Sequence, residues 1–181
     1  APITKWHWLA RWPDMIPETI RRSFKVAWTP PYGPTYATWH ADYTKEKVRT
    51  EVISHKMVDP RMRIRPNPRE VERAARMLVE AERPLLMVGD ELYKTNSVDK
   101  AVKLAEMLGV PVTEPWQVFA NFPQAHPQWV GGSAMRTQNP DVVINVGNKL
   151  QHFSPSPIVP RSVKFIDMRN DAASIGNIMT T

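Results

Sequence analysis

With 181 residues, 42% of them hydrophobic and 23% charged, the chain can hold one complete core plus an appendage. No apolar run approaches the roughly 18 residues that a membrane helix needs, and the lack of cysteine excludes disulfides, thiolate metal sites and a cysteine nucleophile. The net charge of +6 reads as a solvated surface rather than a nucleic-acid footprint.

The absence of cysteine fits a reducing cytoplasm, the expected location. The first residue is Ala and no charged start leads into an apolar stretch, so no signal peptide is read and the chain is expected to be part of a longer protein.

Five of the seven tryptophans, Trp6, Trp8, Trp12, Trp28 and Trp39, fall in the first 39 residues. That stretch supplies one predicted helix, 17–28 with Pro17 in its first turn, and one predicted strand, "TYATWHA", after the "PPYGP" turn. Two elements cannot bury five indoles, each of which hides about 150–250 Å² when buried. Residues 1–42 are therefore expected to be the tail of a larger domain, packed against another domain or another copy. Residues 43–66 are charged and end in "DPRMRIRPNP", where repeated prolines forbid regular helix and predict a linker. Arg61, Arg63 and Arg65 share one side of an extended chain, which reads as a solvated linker.

From 67 to 181 the pattern is regular. Asn67 caps a helix with Pro68 first and Glu70 third, and Val71, Ala74, Ala75, Leu78 and Val79 form its predicted inner face. "PLLMVG" reads as a buried strand, and a second helix follows with Val98, Ala101, Val102, Ala105 and Leu108 inward and Gly109 at its end. "VPVTE", "DVVINVG" and "SVKFIDM" are further strands, with a loop or short helix over 115–139. Short apolar strands alternating with helices predict an α/β fold: a Rossmann-like, open, mostly parallel sheet with helices on both faces, preceded by a short incomplete α/β segment.

Ligands of such sheets lie beyond the carboxyl ends of the strands. The candidates there are Gly89 and Asp90, Thr113 and Glu114, Gly147, Asn148 and Lys149, and Asp167 with Arg169. Gly131, Gly132 and Ser133 can bring backbone amides to a ligand in the same way. Neither G-x-x-x-x-G-K-[ST] nor G-x-G-x-x-G occurs, and Asp90 and Glu91 stand where a diphosphate wants bare amides. The five histidines have no metal spacing, and no G-x-S-x-G elbow is present.

The order of these stretches resembles the thiamine diphosphate-dependent decarboxylase and acetolactate synthase superfamily. "APITKW…PETIRRSFKVAWTPPYGPTYATWHADY" is similar to the closing segment of its pyrimidine-binding domain. "NPREVERAARMLVEAERPLLMVGDEL", "AVKLAEMLGVPVTE", "HPQWVGGSAMRTQNPDVVINVGNKL" and "VKFIDMRNDAASIG" resemble its central domain. The resemblance implies a parent enzyme that uses thiamine diphosphate and Mg²⁺ on a 2-keto acid, as a carboligase or lyase. In that family the activating glutamate lies earlier and a G-D-G…N motif later, so this chain alone is expected to be inert, with no catalytic or metal residue of its own. Gly89, Asp90 and Glu91 match only the first two positions of that motif, which leaves a first central-domain strand. Some family central domains hold the ADP part of FAD and others are empty. An adenine nucleotide would set its phosphates near Gly131, Gly132 and Ser133, close to Gly147 and Asn148, with ribose or base near Asp167 and Arg169 toward a phosphate. The implied partners are the remaining pyrimidine- and pyrophosphate-binding domains in a homo-oligomer, with no nucleic acid and no membrane. A free-standing Rossmann-type nucleotide-binding or interaction module is the alternative.

Overall fold

The computed structural model describes residues 3–51, 65–116, 118–150 and 159–175. Arg61 and Arg63 lie outside the described residues. The chain forms two compact units, Ala1–Arg65 and Pro66–Thr181.

In the first unit, β1 (Trp6–Ala10) pairs in parallel with β2 (Thr35–Trp39), and α1 (Ile16–Trp28) connects them. The sequence predicts one strand here, β2. The alternation of Trp-His-Trp stops at Leu9 and Ala10, too short a pattern to mark β1 in the sequence. A parallel pair requires a crossover, which α1 supplies. Lys5 Nζ donates to Val26 O and Thr29 O at 2.9 and 2.5 Å, placing a cation at the negative end of α1. Burial is slight: Ala10 and Thr19 are inside, whereas Trp8, Trp12, Trp28, Leu9, Phe24 and Tyr36 are all at least 43% exposed.

The second unit is a four-stranded parallel sheet in the order β4-β3-β5-β6, from β3 (Pro84–Val88), β4 (Val112–Thr113), β5 (Val142–Val146) and β6 (Lys164–Met168). Period two splits the side chains between two cores. Leu86, Val88, Val112, Val142 and Ile144 meet Leu78 of α2 (Pro68–Glu80) and Ala101 and Ala105 of α4 (Val98–Leu108). Leu85, Met87, Val143 and Phe165 meet Ala134 of α5 (Ala134–Thr137), with Leu150 and Val159. Helices thus lie on both faces but unequally. Pro115, Pro123 and Pro127 keep the long connection from β4 irregular, so among the described residues only four-residue α5 is a helix on the second face.

Both helix ends follow their residues. Asn67 Oδ1 accepts from Arg69 N at 3.1 Å, and Gly109 ends α4 in the left-handed region at φ +62°. The inner stripe of α2 differs from the expectation. Leu78 is buried and Ala74 and Met77 are half-buried, while Val71, Ala75 and Val79 face outward. Periodicity alone does not distinguish two adjacent stripes on an alanine-rich helix. The "VPVTE" strand shortens to Val112–Thr113.

Candidate functional site at the carboxyl edge of the sheet

All four strands of the second unit run the same way, so their carboxyl ends gather on one edge. The turns after β3 and β5 cross there in contact. A Cβ on Gly89 would lie 2.3 Å from Asn148 Cα and 2.6 Å from Asn148 N and Gly147 O. One on Gly147, at φ +74°, would lie 2.5 Å from Glu91 Cβ. Glycine is required at both positions by close approach.

That crossing is held by two buried asparagines. Asn148 Nδ2 donates to Val88 O and Pro115 O at 3.1 and 3.2 Å, and its Oδ1 accepts from Leu150 N at 2.9 Å, which staples the ends of β3, β4 and β5 together. Asn145 Nδ2 donates to Asn148 O at 2.9 Å and to Asp167 Oδ1 at 2.8 Å. The same Asp167 oxygen accepts from Arg169 Nε at 2.9 Å, and the two side chains are 2% and 3% exposed. Glu91 accepts from Asn170 N at 2.8 Å, and burial pushes its carboxyl above the usual glutamate range against the pull of that bond, Arg169 and Lys149.

A second polar group lies where α3 (Glu91–Lys94) begins. Asp90 Oδ1 accepts from Val118 N, Phe119 N and Asn121 Nδ2 at 3.1, 3.2 and 3.0 Å. Burial raises the Asp90 pKa, but these bonds and Lys94 outweigh it and hold the carboxyl below its ordinary range. Asn121 also donates to Glu114 Oε1. The anchored loop presents Trp116 and Val118, 59% and 80% exposed, and the Phe119 ring stacks on Tyr93 at 4.8 Å.

Gly147, Asn148, Asp167 and Arg169 are therefore brought to one edge, where Asn145 links Asn148 to the Asp167–Arg169 pair and most of the other bonds run to neighbouring backbone. Gly131 and its neighbours are tied elsewhere: Thr113 Oγ1 donates to Gly131 O at 2.6 Å, and the ground over Gly131 and Gly132 is open. Sequence reasoning passed over Asn145, for which an asparagine inside an otherwise apolar strand was the available signal. Among the described residues no group of three or more His, Asp or Glu side chains could hold a metal ion. With Asp90 taken up by two loop amides and Asn121, and Glu91 by Asn170, these residues do not fit a metal-diphosphate site.

Comparison with known proteins decides the family. Residues 71–181 match the family described as thiamine pyrophosphate enzyme, central domain. The chain belongs to the thiamine pyrophosphate enzymes. It is 25% identical over 193 residues to the acetolactate synthase large subunit of Corynebacterium glutamicum, covering 98% of this chain and 30% of that protein. To the sulfoacetaldehyde acetyltransferase of Castellaniella defragrans it is 28% identical over 187 residues, covering 96% and 31%. The chain thus spans about a third of the length of the curated relatives it matches. The fold is shared with the benzoylformate decarboxylase of Polynucleobacter necessarius at a TM-score of 0.85 and 22% identity, covering 99% of this chain and 35% of that one.

Proposed function

We propose that this chain is the central, architectural section of a thiamine diphosphate-dependent carboligase or lyase that acts on 2-keto acids, and that it is inert by itself. The observation that carries the reading is the carboxyl edge of its sheet. The polar side chains there are engaged by hydrogen bonds within the chain, mostly to backbone groups, and Asp90 and Glu91, the two that could mimic a metal-diphosphate motif, are held by loop amides and by the Asn170 amide. The pyrimidine- and pyrophosphate-binding parts, with thiamine diphosphate and Mg²⁺, then come from other segments or subunits of a cytoplasmic homo-oligomer.

Within this reading the nucleotide subsite is empty. An adenine nucleotide with phosphates at Gly131, Gly132 and Ser133 is favoured by the open ground over those glycines. Its ribose would nevertheless have to draw Asp167 away from Arg169 and Asn145. Calorimetry with ADP and FAD separates the two: no heat supports the empty form, and binding that weakens roughly tenfold in Asp167→Ala supports the occupied one.

The purified chain, mixed with thiamine diphosphate, Mg²⁺ and pyruvate, should neither bind the cofactor nor release carbon dioxide. Turnover would refute the reading. The parent reading frame tests the alternative of a free-standing module: a frame continuing into a G-D-G…N segment supports the enzyme, and a natural 181-residue product supports the module.

A further inference from the structure

The contact between Glu114 and Asn121 leaves a specific remainder. Glu114 is 5% exposed and Asn121 fully buried. Asn121 Nδ2 lies against three acceptors, Asp90 Oδ1 and Phe119 O at 3.0 Å each and Glu114 Oε1. Exchanging the amide's nitrogen and oxygen would set an acceptor against all three, so this surrounding fixes its orientation. The other oxygen of each group, Glu114 Oε2 and Asn121 Oδ1, is buried and has no hydrogen-bond partner. Two acceptors cannot bond to each other, and buried polar atoms are rarely left unpaired. A single proton resolves both.

We propose that Glu114 is held as a neutral carboxylic acid whose Oε2–H donates to Asn121 Oδ1 while Asn121 Nδ2–H donates to Glu114 Oε1. One proton thereby closes a two-bond ring that clasps the loop leaving β4. The inference does not depend on the functional reading above.

The surroundings agree with it. Burial pushes the Glu114 carboxyl up, the Asn121 side-chain amide and the Asn121 backbone N–H pull it down, and the Asp90 charge pushes it up again, with a net rise. The charged groups facing the ring are Asp90 and, behind it, Lys94, whose charge acts on Asp90. Asp90 needs its charge to hold the Val118 and Phe119 amides. The two carboxyls thus divide the work, one ionised and one neutral, as paired acids in unequal surroundings do. Loss of the proton to solvent would leave a carboxylate oxygen facing an amide oxygen beside a second carboxylate. The clasp then opens, and the loop bearing Trp116 and Val118 is loosened to what Asp90 and Asn148 still hold. Because the closed form binds the extra proton, closure is strongest at low pH and is lost as pH rises through the raised Glu114 value.

Carbon NMR of the full chain, labelled at the glutamate δ-carbon, tests this directly. At neutral pH one glutamate should resonate as the protonated acid, and that signal should vanish in Glu114→Gln, whose amide can make the same two ring bonds. Glu91→Gln should leave the signal in place. Hydrogen exchange at Val118 and Phe119, corrected for the intrinsic rate, should lose about tenfold in protection per pH unit between the free and the raised glutamate values. It should hold steady in Glu114→Gln. The proposal is overturned if every glutamate is ionised at neutral pH in the parent chain, or if the acid signal survives Glu114→Gln. It is equally overturned if added K⁺, Mg²⁺ or Ca²⁺ shifts an ionised Glu114, which would make the pair a cation site. The parent spectrum decides the first point even if Glu114→Gln fails to fold.

Discussion

Gly89→Ala should be among the most damaging small changes in the second unit. The added methyl would lie 2.3 Å from Asn148 Cα and 2.6 Å from two further backbone atoms, none of which can rotate away. Carbon atoms rest about 3.5–4.0 Å apart, so the two turns must separate by more than about 1 Å. Overpacking of this kind costs about 1–3 kcal/mol. The same displacement stretches the Asn148 bonds to Val88 O and Pro115 O and the Gly89 N–H bond to Val146 O, each contributing about 1 kcal/mol. Partial loss of these brings the expected destabilisation to about 2–4 kcal/mol. Urea unfolding followed by circular dichroism should then show a midpoint lowered by roughly 1–2 M with little change in slope. Gly132→Ala is the control, since nothing lies within 4 Å of its Cβ position and its φ is ordinary; it should stay within about 0.5 kcal/mol of the parent. Equal midpoints for the Gly89 and Gly132 variants would refute the close-crossing argument.

Asp90→Ala should orphan the Val118 and Phe119 amides, cost about 1–3 kcal/mol and speed hydrogen exchange at those two positions. The stability that Asp90 contributes should be present above the ordinary aspartate pKa of about 3.9 and be lost as pH falls through its lower folded value. Glu91 works in the opposite sense: its raised folded pKa means stability falls as pH climbs through that value, and Glu91→Gln should flatten the decline in a thermal-melt series across pH. Arg169→Leu should cost about 3–5 kcal/mol by leaving the buried Asp167 charge without its cation and with only the Asn145 amide, whereas the double replacement of both by leucine should recover much of that loss in denaturant titration. The indoles of Trp8, Trp12 and Trp28, between 43% and 65% exposed, should be quenched by acrylamide in this chain and shielded in the whole enzyme, a difference read by fluorescence.

The parallel sheet was legible because its strands are short apolar runs set between helices with strong end signals. Asn67, Pro68 and Gly109 each mark a boundary through one local backbone requirement, and the structure meets all three. The candidate positions were legible for a related reason, since parallel strands send every carboxyl end to one edge. Their partners within the fold were not. Asp167 and Arg169 are two apart in sequence, and the structure adds that each is the other's ion-pair partner. The Asp90 bonds to Val118 and Phe119 span 28 and 29 residues, a separation that no local pattern encodes. β1 was missed because its register comes from β2, 29 residues further on, and not from its own alternation.

The two strands of the first unit pair only with each other among the described residues, so each keeps an outer row of backbone groups with no strand alongside. Such rows are templates for further strands, and here neither strand contains the proline that would blunt one. Trp8, Leu9 and Tyr36 add apolar surface to them. Handled as a separate molecule, the chain should self-associate increasingly with concentration and ageing, growing strand upon strand into thioflavin-positive material. Lysine substitutions at Leu9 or Tyr36 should delay that growth without touching the second unit.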